Sequence, residues 1–165
     1  MTASVTTYLL LGSNLGDRTA LLQVARTQLA TTVGKIIATS ALYETAAWGR
    51  EDQPAFLNQA LAVRTALSPT GLLAACLATE QQAGRERRER WGSRTLDVDI
   101  LFFGEAIIAT PALCVPHPRL AERRFALVPL AEIAGSRQHP QLRETIDTLL
   151  ARCADPLPVV RWTGE

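Results

Sequence analysis

The chain has 165 residues, 47% of them hydrophobic and 20% charged, with a formal net charge of +1. That length is enough for one domain whose core needs no covalent staple, and the balance of apolar to charged residues excludes an intrinsically disordered chain. Near neutrality excludes a global pull toward nucleic acid or an anionic membrane, so any preference for anions has to be local.

The three cysteines, Cys76, Cys114 and Cys153, are widely spaced. They fit neither a disulfide framework nor a zinc site with paired ligands, which points to a reducing, cytoplasmic setting. Met1 to Thr7 has no basic n-region and no apolar h-region. No stretch reaches the ~20 apolar residues of a membrane span, so neither export nor membrane insertion is expected.

Along the chain, Tyr8 to Leu11 is an apolar run stopped by Gly12-Ser13-Asn14, after which Leu21, Leu22, Ala25 and Leu29 recur at helical spacing. This reads as strand, turn and helix. Ile36 to Tyr43 suggests a second strand, and Thr45 to Pro54 has the composition of a loop. From Phe56 to Thr65 the pattern alternates, with Leu57, Leu61 and Val63 on one face and Asn58, Ala60 and Arg64 on the other. Ser68-Pro69 is a helix start and Gly84 its stop, with Leu72, Leu73, Cys76, Leu77 and Glu80 sharing one side.

From Thr95 the chain reads as a strand ending at Gly104, with Leu96, Val98, Ile100 and Phe102 on one face and Asp97 and Asp99 on the other. A proline-rich stretch, a short helix near Leu127 and a last helix with Leu142, Ile146, Leu149, Leu150 and Cys153 in register follow, closed off by Pro156 and Pro158. Strands and helices mix without the βαβ rhythm of a doubly wound fold. The pattern therefore predicts an α+β sandwich with a largely antiparallel sheet, in a single domain spanning residues 1–165.

The chemistry gathers around the strand that begins at Thr95. Carboxylates at i and i+2 leave a strand on the same face, about 6–7 Å apart at their Cα atoms. Such a pair repels itself, and a divalent cation relieves the repulsion by taking the oxygens as ligands. A solvated strand surface is the plain alternative for Asp97 and Asp99.

Just upstream, Arg85, Arg87, Arg88, Arg90 and Arg94 fall within ten residues, with Trp91 and Gly92 among them. Guanidinium forks beside two carboxylates suit a polyphosphate whose metal lies between the acids and the phosphates. Glu86 and Glu89 leave a solvated ion-pair loop open as the other reading. Glu80 is either part of this site or a boundary residue of its helix. His117, held between Pro116 and Pro118, is either a donor to phosphate or a surface turn histidine.

Together these segments resemble a known family. Gly12-Ser13-Asn14-Leu15-Gly16-Asp17, Asp52-Gln53-Pro54 with Phe56-Leu57-Asn58, Gly84-Arg85, Arg90-Trp91-Gly92, Arg94-Thr95-Leu96-Asp97-Val98-Asp99-Ile100, Val115-Pro116-His117-Pro118-Arg119 and Arg123 with Phe125 are similar to 6-hydroxymethyl-7,8-dihydropterin pyrophosphokinases. The similarity runs from about Tyr8 to Ala134 in unbroken order.

The resemblance implies a ferredoxin-like core, folate biosynthesis as the pathway, ATP as co-substrate and two magnesium ions. It implies that Asp97 and Asp99 hold the metals and that Arg85 and Arg94 stabilise the transferring group. By the same carry-over Arg87, His117 and Arg123 grip phosphate oxygens, and Glu80, Trp91 and Ile100 surround the nucleotide. Thr45 and Asn58 match polar pterin contacts, and Phe56 and Phe125 match two rings that sandwich the pterin.

The family often has prolines after the position of Thr45, where this chain has Ala46-Ala47-Trp48, so Trp48 adds bulk at the pterin mouth. Arg124 beside Arg123 makes the arginine register ambiguous, and Arg123 keeps the spacing to Phe125. A monomer with small-molecule partners, without nucleic acid or membrane, is expected. A two-metal nucleotidyltransferase and a ferredoxin-like RNA-binding module are the rival readings; acids on the strand face count against the latter.

Overall fold

The computed structural model describes residues 3–45, 54–84 and 96–164. Its elements are, in chain order, β1 (Val5–Ser13), α1 (Arg18–Thr32), β2 (Gly34–Thr39), β3 (Tyr43–Thr45), β4 (Phe56–Thr65), α2 (Pro69–Gln82), β5 (Asp97–Phe103), β6 (Ile108–Ala109), β7 (Cys114–Val115), α3 (Arg124–Ala134), α4 (Ile146–Ala151) and β8 (Val159–Arg161). A 3-10 turn at Leu120–Glu122 leads into α3.

The main sheet runs β5-β1-β4-β3-β8, with β2 also pairing to β4, and every pairing is antiparallel. The path β1-α1-β2-β4-α2-β5 is the split βαβ arrangement of a ferredoxin-like core, as expected from the sequence. One apolar layer joins Leu9, Leu11, Leu57, Leu61 and Val98 of the sheet to Leu22 and Leu29 of α1 and Leu72 and Cys76 of α2. The other joins Leu10, Leu101 and Phe102 to Leu127 and Leu130 of α3 and Ile146 and Leu149 of α4. Helices thus cover both faces.

The two faces expected for Phe56 to Thr65 are present, with Leu57, Leu61 and Val63 together in the first layer. In β4 both faces are buried from Leu57 to Val63, because α1 lies against one and α3 against the other. The strand expected over Ile36 to Tyr43 is broken in two. Its register against β4 slips between Ile36 and Ala38, and Ser40 then takes over the bonding: its amide donates to Ala60 O and its hydroxyl accepts from Ala60 N, both at 2.9 Å. The side chain thereby stands in for a stretch of ladder.

The helix starts are set by local chemistry. Asp17 caps α1 by accepting from Ala20 N, and Ser68 caps α2 by accepting from Gly71 N with Pro69 in the first turn. Gly84, with φ of 76°, supplies the left-handed turn beyond α2. The buried residues of α2 are Leu72, Cys76, Thr79 and Glu80, whereas Leu77 is 47% exposed and does not share their side. Burial first, then the Glu80 and Asp99 carboxylates, push the Cys76 thiol up to about 12, which leaves it an inert core group.

A bulge changes one face of β5. Tyr8 pairs with Phe102 and Leu9 with Ile100, so Leu101 is the extra residue. Phe102 therefore turns to the α3 layer and Phe103 to the α1–α2 layer, and Phe102 does not share the face of Val98 and Ile100 as alternation implied. Toward the C-terminus, α3 is an eleven-residue helix rather than a short one. The last helix is only Ile146–Ala151, with Leu142 outside it and 44% exposed. After the prolines comes β8, unanticipated from sequence, which pairs with β3.

The β2–β4 approach leaves no room for a side chain at Gly34, where an added Cβ would lie 2.0 Å from Arg64 O. Gly34→Ala is expected to cost about 1–3 kcal/mol through backbone displacement. Urea unfolding of the two proteins checks this, and equal midpoints would refute it.

Candidate active site

The strand pairings lay out the site. Gly12 of β1 faces Asp97 of β5 on one side and Asn58 of β4 on the other, and Asn58 faces Tyr43 of β3. Two residues along, Leu10 stands between Asp99 and Ala60. Toward the other end, Thr45 pairs with Phe56. Cross-strand partners share a face. Leu10 belongs to the α3 layer, so Asp97, Asp99, Asn58, Thr45 and Phe56 all lie on the α3 side of the sheet.

Gly12 makes this row possible. A Cβ there would stand 2.7 Å from Asn58 Oδ1 and 3.8 Å from Phe56 Cδ1. The absence of a side chain lets the Asn58 amide lie low over the sheet. From sequence, Gly12 reads as part of the stop after the strand; in the structure it is inside β1 and sets the floor of the site. Only the pairing with Asn58, forty-six positions away, could reveal that role.

The N-terminal end of α3 supplies the opposing charge. Arg123 N-caps the helix with its backbone and holds its guanidinium carbon 5.6 Å from the centre of the Phe125 ring. Its Nε is buried with no hydrogen-bond partner. Burial pulls the Arg123 pKa down and the Asp99 carboxylate pulls it back up, so the two groups are electrostatic neighbours. A guanidinium stays charged under such conditions, and its unmade bond is available to an anion.

The neighbouring arginines differ in their contacts. Arg124 Nε and Nη2 donate to Asp155 O and Cys153 O at 3.1 and 2.9 Å, and its backbone N–H donates to the Asp155 carboxylate at 3.0 Å. Arg124 is thus tied to the C-terminal segment, while Arg123 turns to Asp99.

His117 is anchored by its backbone N–H to Leu101 O at 3.0 Å, which docks its turn onto β5. Its Nδ1 accepts from Arg119 N at 3.2 Å, so the neutral ring carries its proton on Nε2. Burial, then Arg123 and Arg119, lower its pKa to about 4. A neutral imidazole with an Nε2–H donor beside two guanidiniums suits an anion. Arg119, which the sequence reading cites only within the family motif, adds to the positive field.

A second unmade bond lies at the far end of the row. Thr45 is 3% exposed and its Oγ1 has no hydrogen-bond partner. An unsatisfied buried hydroxyl costs about 1–3 kcal/mol, which a polar ligand edge would recover. Phe56 beside it and Phe125 of α3 are both half-buried on this side of the sheet.

Two of the residues expected around the nucleotide have buried side chains. Ile100 is 6% exposed and packs in the layer beneath α1 and α2, because it alternates with Asp99 along β5. Glu80 is also 6% exposed, and its Oε2 accepts from Val98 N at 2.7 Å. It braces the backbone amide between the two aspartates instead of lining their face. Trp48, Arg85, Arg87, Trp91 and Arg94 lie outside the described residues. Among the described residues no group of three or more His, Cys, Asp or Glu side chains could enclose a metal.

Paired strand carboxylates opposite a half-buried cation, next to a polar and aromatic end, form a candidate enzyme site for an anionic ligand. Comparison with known proteins narrows this class. Residues 8–135 match the model of the 7,8-dihydro-6-hydroxymethylpterin-pyrophosphokinase (HPPK) family, and the chain belongs to that family.

The chain is 49% identical over 128 residues to the 2-amino-4-hydroxy-6-hydroxymethyldihydropteridine pyrophosphokinase of Methylorubrum extorquens, covering 77% of this chain and 81% of that one. It is 48% identical over 130 residues to the enzyme of the same name from Bacillus subtilis, covering 76% of each. In fold it is similar to Plasmodium falciparum HPPK-DHPS, solved with pterin and p-hydroxybenzoate, with a TM-score of 0.72 at 18% identity over 92% of this chain. The chain spans 43% of that longer protein.

The His117 environment has a consequence for stability. With a folded pKa near 4 and an ordinary value of 6.5, the unfolded chain holds the proton between those pH values. The stability contributed by neutral His117 is then complete above the ordinary value and drains away as pH falls toward the folded one. His117→Asn is expected to flatten that part of the curve. Thermal melts at stepped pH values test it, and an unchanged slope would show that the ring is not shielded.

Proposed function

We propose that the chain transfers a diphosphate group from ATP to the hydroxymethyl oxygen of 6-hydroxymethyl-7,8-dihydropterin, giving AMP and the pterin diphosphate in folate biosynthesis. The observation that carries this reading is the row Asp97-Gly12-Asn58, with Asp99 and Arg123 beside it. It brings two carboxylates, a polar amide and a guanidinium to one side of the sheet, which supports metal and phosphate binding there. Family membership supplies the substrate class.

The carboxylates suit magnesium of a particular kind. Magnesium is usually held by one or two carboxylates plus substrate phosphates and water, rather than by a protein cage. Two aspartates with no third acidic ligand among the described residues fit ions that arrive with the nucleotide. When bound, magnesium would neutralise phosphate charge and favour ionisation of the substrate hydroxyl. Asp97 and Asp99 would hold the two ions, and engaged in that way neither is free to act as a conventional general base.

The reaction is an in-line displacement. The pterin oxygen forms a bond to the β-phosphorus, the bond from that phosphorus to the bridging oxygen of AMP breaks, and the hydroxyl proton departs to solvent. Arg123 and the Nε2–H of His117 would hold phosphate oxygens, and their half-buried setting strengthens those contacts. Arg85 and Arg94 would meet the charge of the transferring group, with Arg87 and Trp91 on the nucleotide.

At the other end Thr45 Oγ1 and the Asn58 amide would bond the pterin edge. Phe56 and Phe125 would stack on its faces, with Trp48 at the mouth. Orientation of the two substrates is then the larger part of the chain's contribution to rate. We take the protein to work as one cytoplasmic domain and as a monomer; none of the helices among the described residues is long and apolar enough to cross a membrane.

Asp97→Ala and Asp99→Ala should each lower turnover by about 100-fold or more while the far-ultraviolet circular dichroism is retained. The assay follows AMP formation from ATP and magnesium, with and without the pterin. Near wild-type rate in the double variant would sink the assignment, and pyrophosphate in place of AMP would point to a nucleotidyltransferase. Gly12→Ala, which drives a methyl group against the Asn58 amide, should raise KM for the pterin about tenfold. An unchanged pterin KM would mean that Asn58 is not a pterin contact.

A further inference from the structure

The pair Thr45 and Phe56 rests on a weak piece of ladder. β3 has three residues, fewer than a strand needs to hold its register unaided. Something else must pin it.

Behind the sheet, Arg18 does so. Its Nη1 donates to Glu44 Oε2 at 2.8 Å and to Ala55 O at 2.9 Å. These are the residues immediately before Thr45 and immediately before Phe56, so one guanidinium ties the Glu44 side chain to the Ala55 backbone. Arg18 also lies 4.9 Å from the centre of the Trp162 ring. Trp162 follows β8 and donates its backbone N–H to Leu42 O at 2.8 Å, bracing β3 from its other side.

Arg18 cannot touch a ligand on the α3 side. Glu44 alternates with Thr45 along β3, and Arg18 opens α1, which covers the opposite face. Helix stability does not account for it either. Asp17 already caps α1, and a cation in the first turn of a helix opposes its dipole.

We propose that Arg18, through its paired bonds to Glu44 and Ala55, is a positioning residue for pterin binding that sets the placement of Thr45 and Phe56 from the far side of the sheet. This rests on the reading of Thr45 and Phe56 as pterin contacts. Arg18→Met keeps the side-chain stem against Trp162 and removes both bonds. It should raise KM for the pterin about tenfold, while KM for ATP and kcat at saturating pterin stay within about twofold. Arg18→Lys, which keeps the charge and a donor, should recover part of the loss.

If Arg18→Met does not fold, Glu44→Gln gives the answer, with a rise of about threefold in the pterin KM alone. A pterin KM unchanged in folded variants, or equal rises in both KM values, overturns the inference while an active wild type leaves the reaction standing. A wild-type protein that makes no AMP from ATP and pterin overturns the reaction itself, and the clamp's role with it.

Discussion

The antiparallel pairing of β1 with β4 and β5 is the constraint from which the site follows. Three strands far apart in sequence bring Asp97, Gly12 and Asn58 into one row, and the middle position has no side chain. A one-residue slip in either ladder would send one of the polar side chains to the buried α1–α2 face. The register is secured by burial: Leu9, Leu11, Leu57 and Leu61 are fully enclosed and cannot exchange faces with the polar set. The apolar layer on one side therefore specifies the polar row on the other.

Electrostatics then divide that row into two ends. At one, Asp99 stands near Arg123, and His117 is kept neutral by burial and by neighbouring cations. At the other, Thr45 and Asn58 offer neutral hydrogen bonds between half-buried rings. Charge separated in this way suits a reaction whose one substrate is a metal-bound polyphosphate and whose other is an uncharged, planar heterocycle. Thr45 Oγ1 at one end and Arg123 Nε at the other are buried without a hydrogen-bond partner.

Buried polar groups outside the row serve to hold it. Glu80 bonds the amide between the aspartates, Ser40 carries the chain across the gap between β2 and β3, and Asp155 fixes the first turn of α3. Each replaces a backbone partner that the local geometry has lost, at the places where strand or helix ends meet the site. Glu80 shares the buried side of α2 with Leu72 and Cys76, as its spacing implies, and reaches the β5 backbone from there.

Local sequence alone determined the cap at Ser68, the helix stop at Gly84, the shared strand face of Asp97 and Asp99 and the choice of an α+β sandwich. These depend on short-range hydrogen bonding, backbone freedom and side-chain periodicity. Tertiary structure decided the rest. Two-sided burial of β4, the bulge that turns Phe102 over, the pairing of β8 with β3 and the bond from Val98 N to Glu80 all arise from contacts between residues distant in the chain. A pattern read along one segment contains no information about which segment will lie against it, and the placement of Gly12 opposite Asn58 is of that kind.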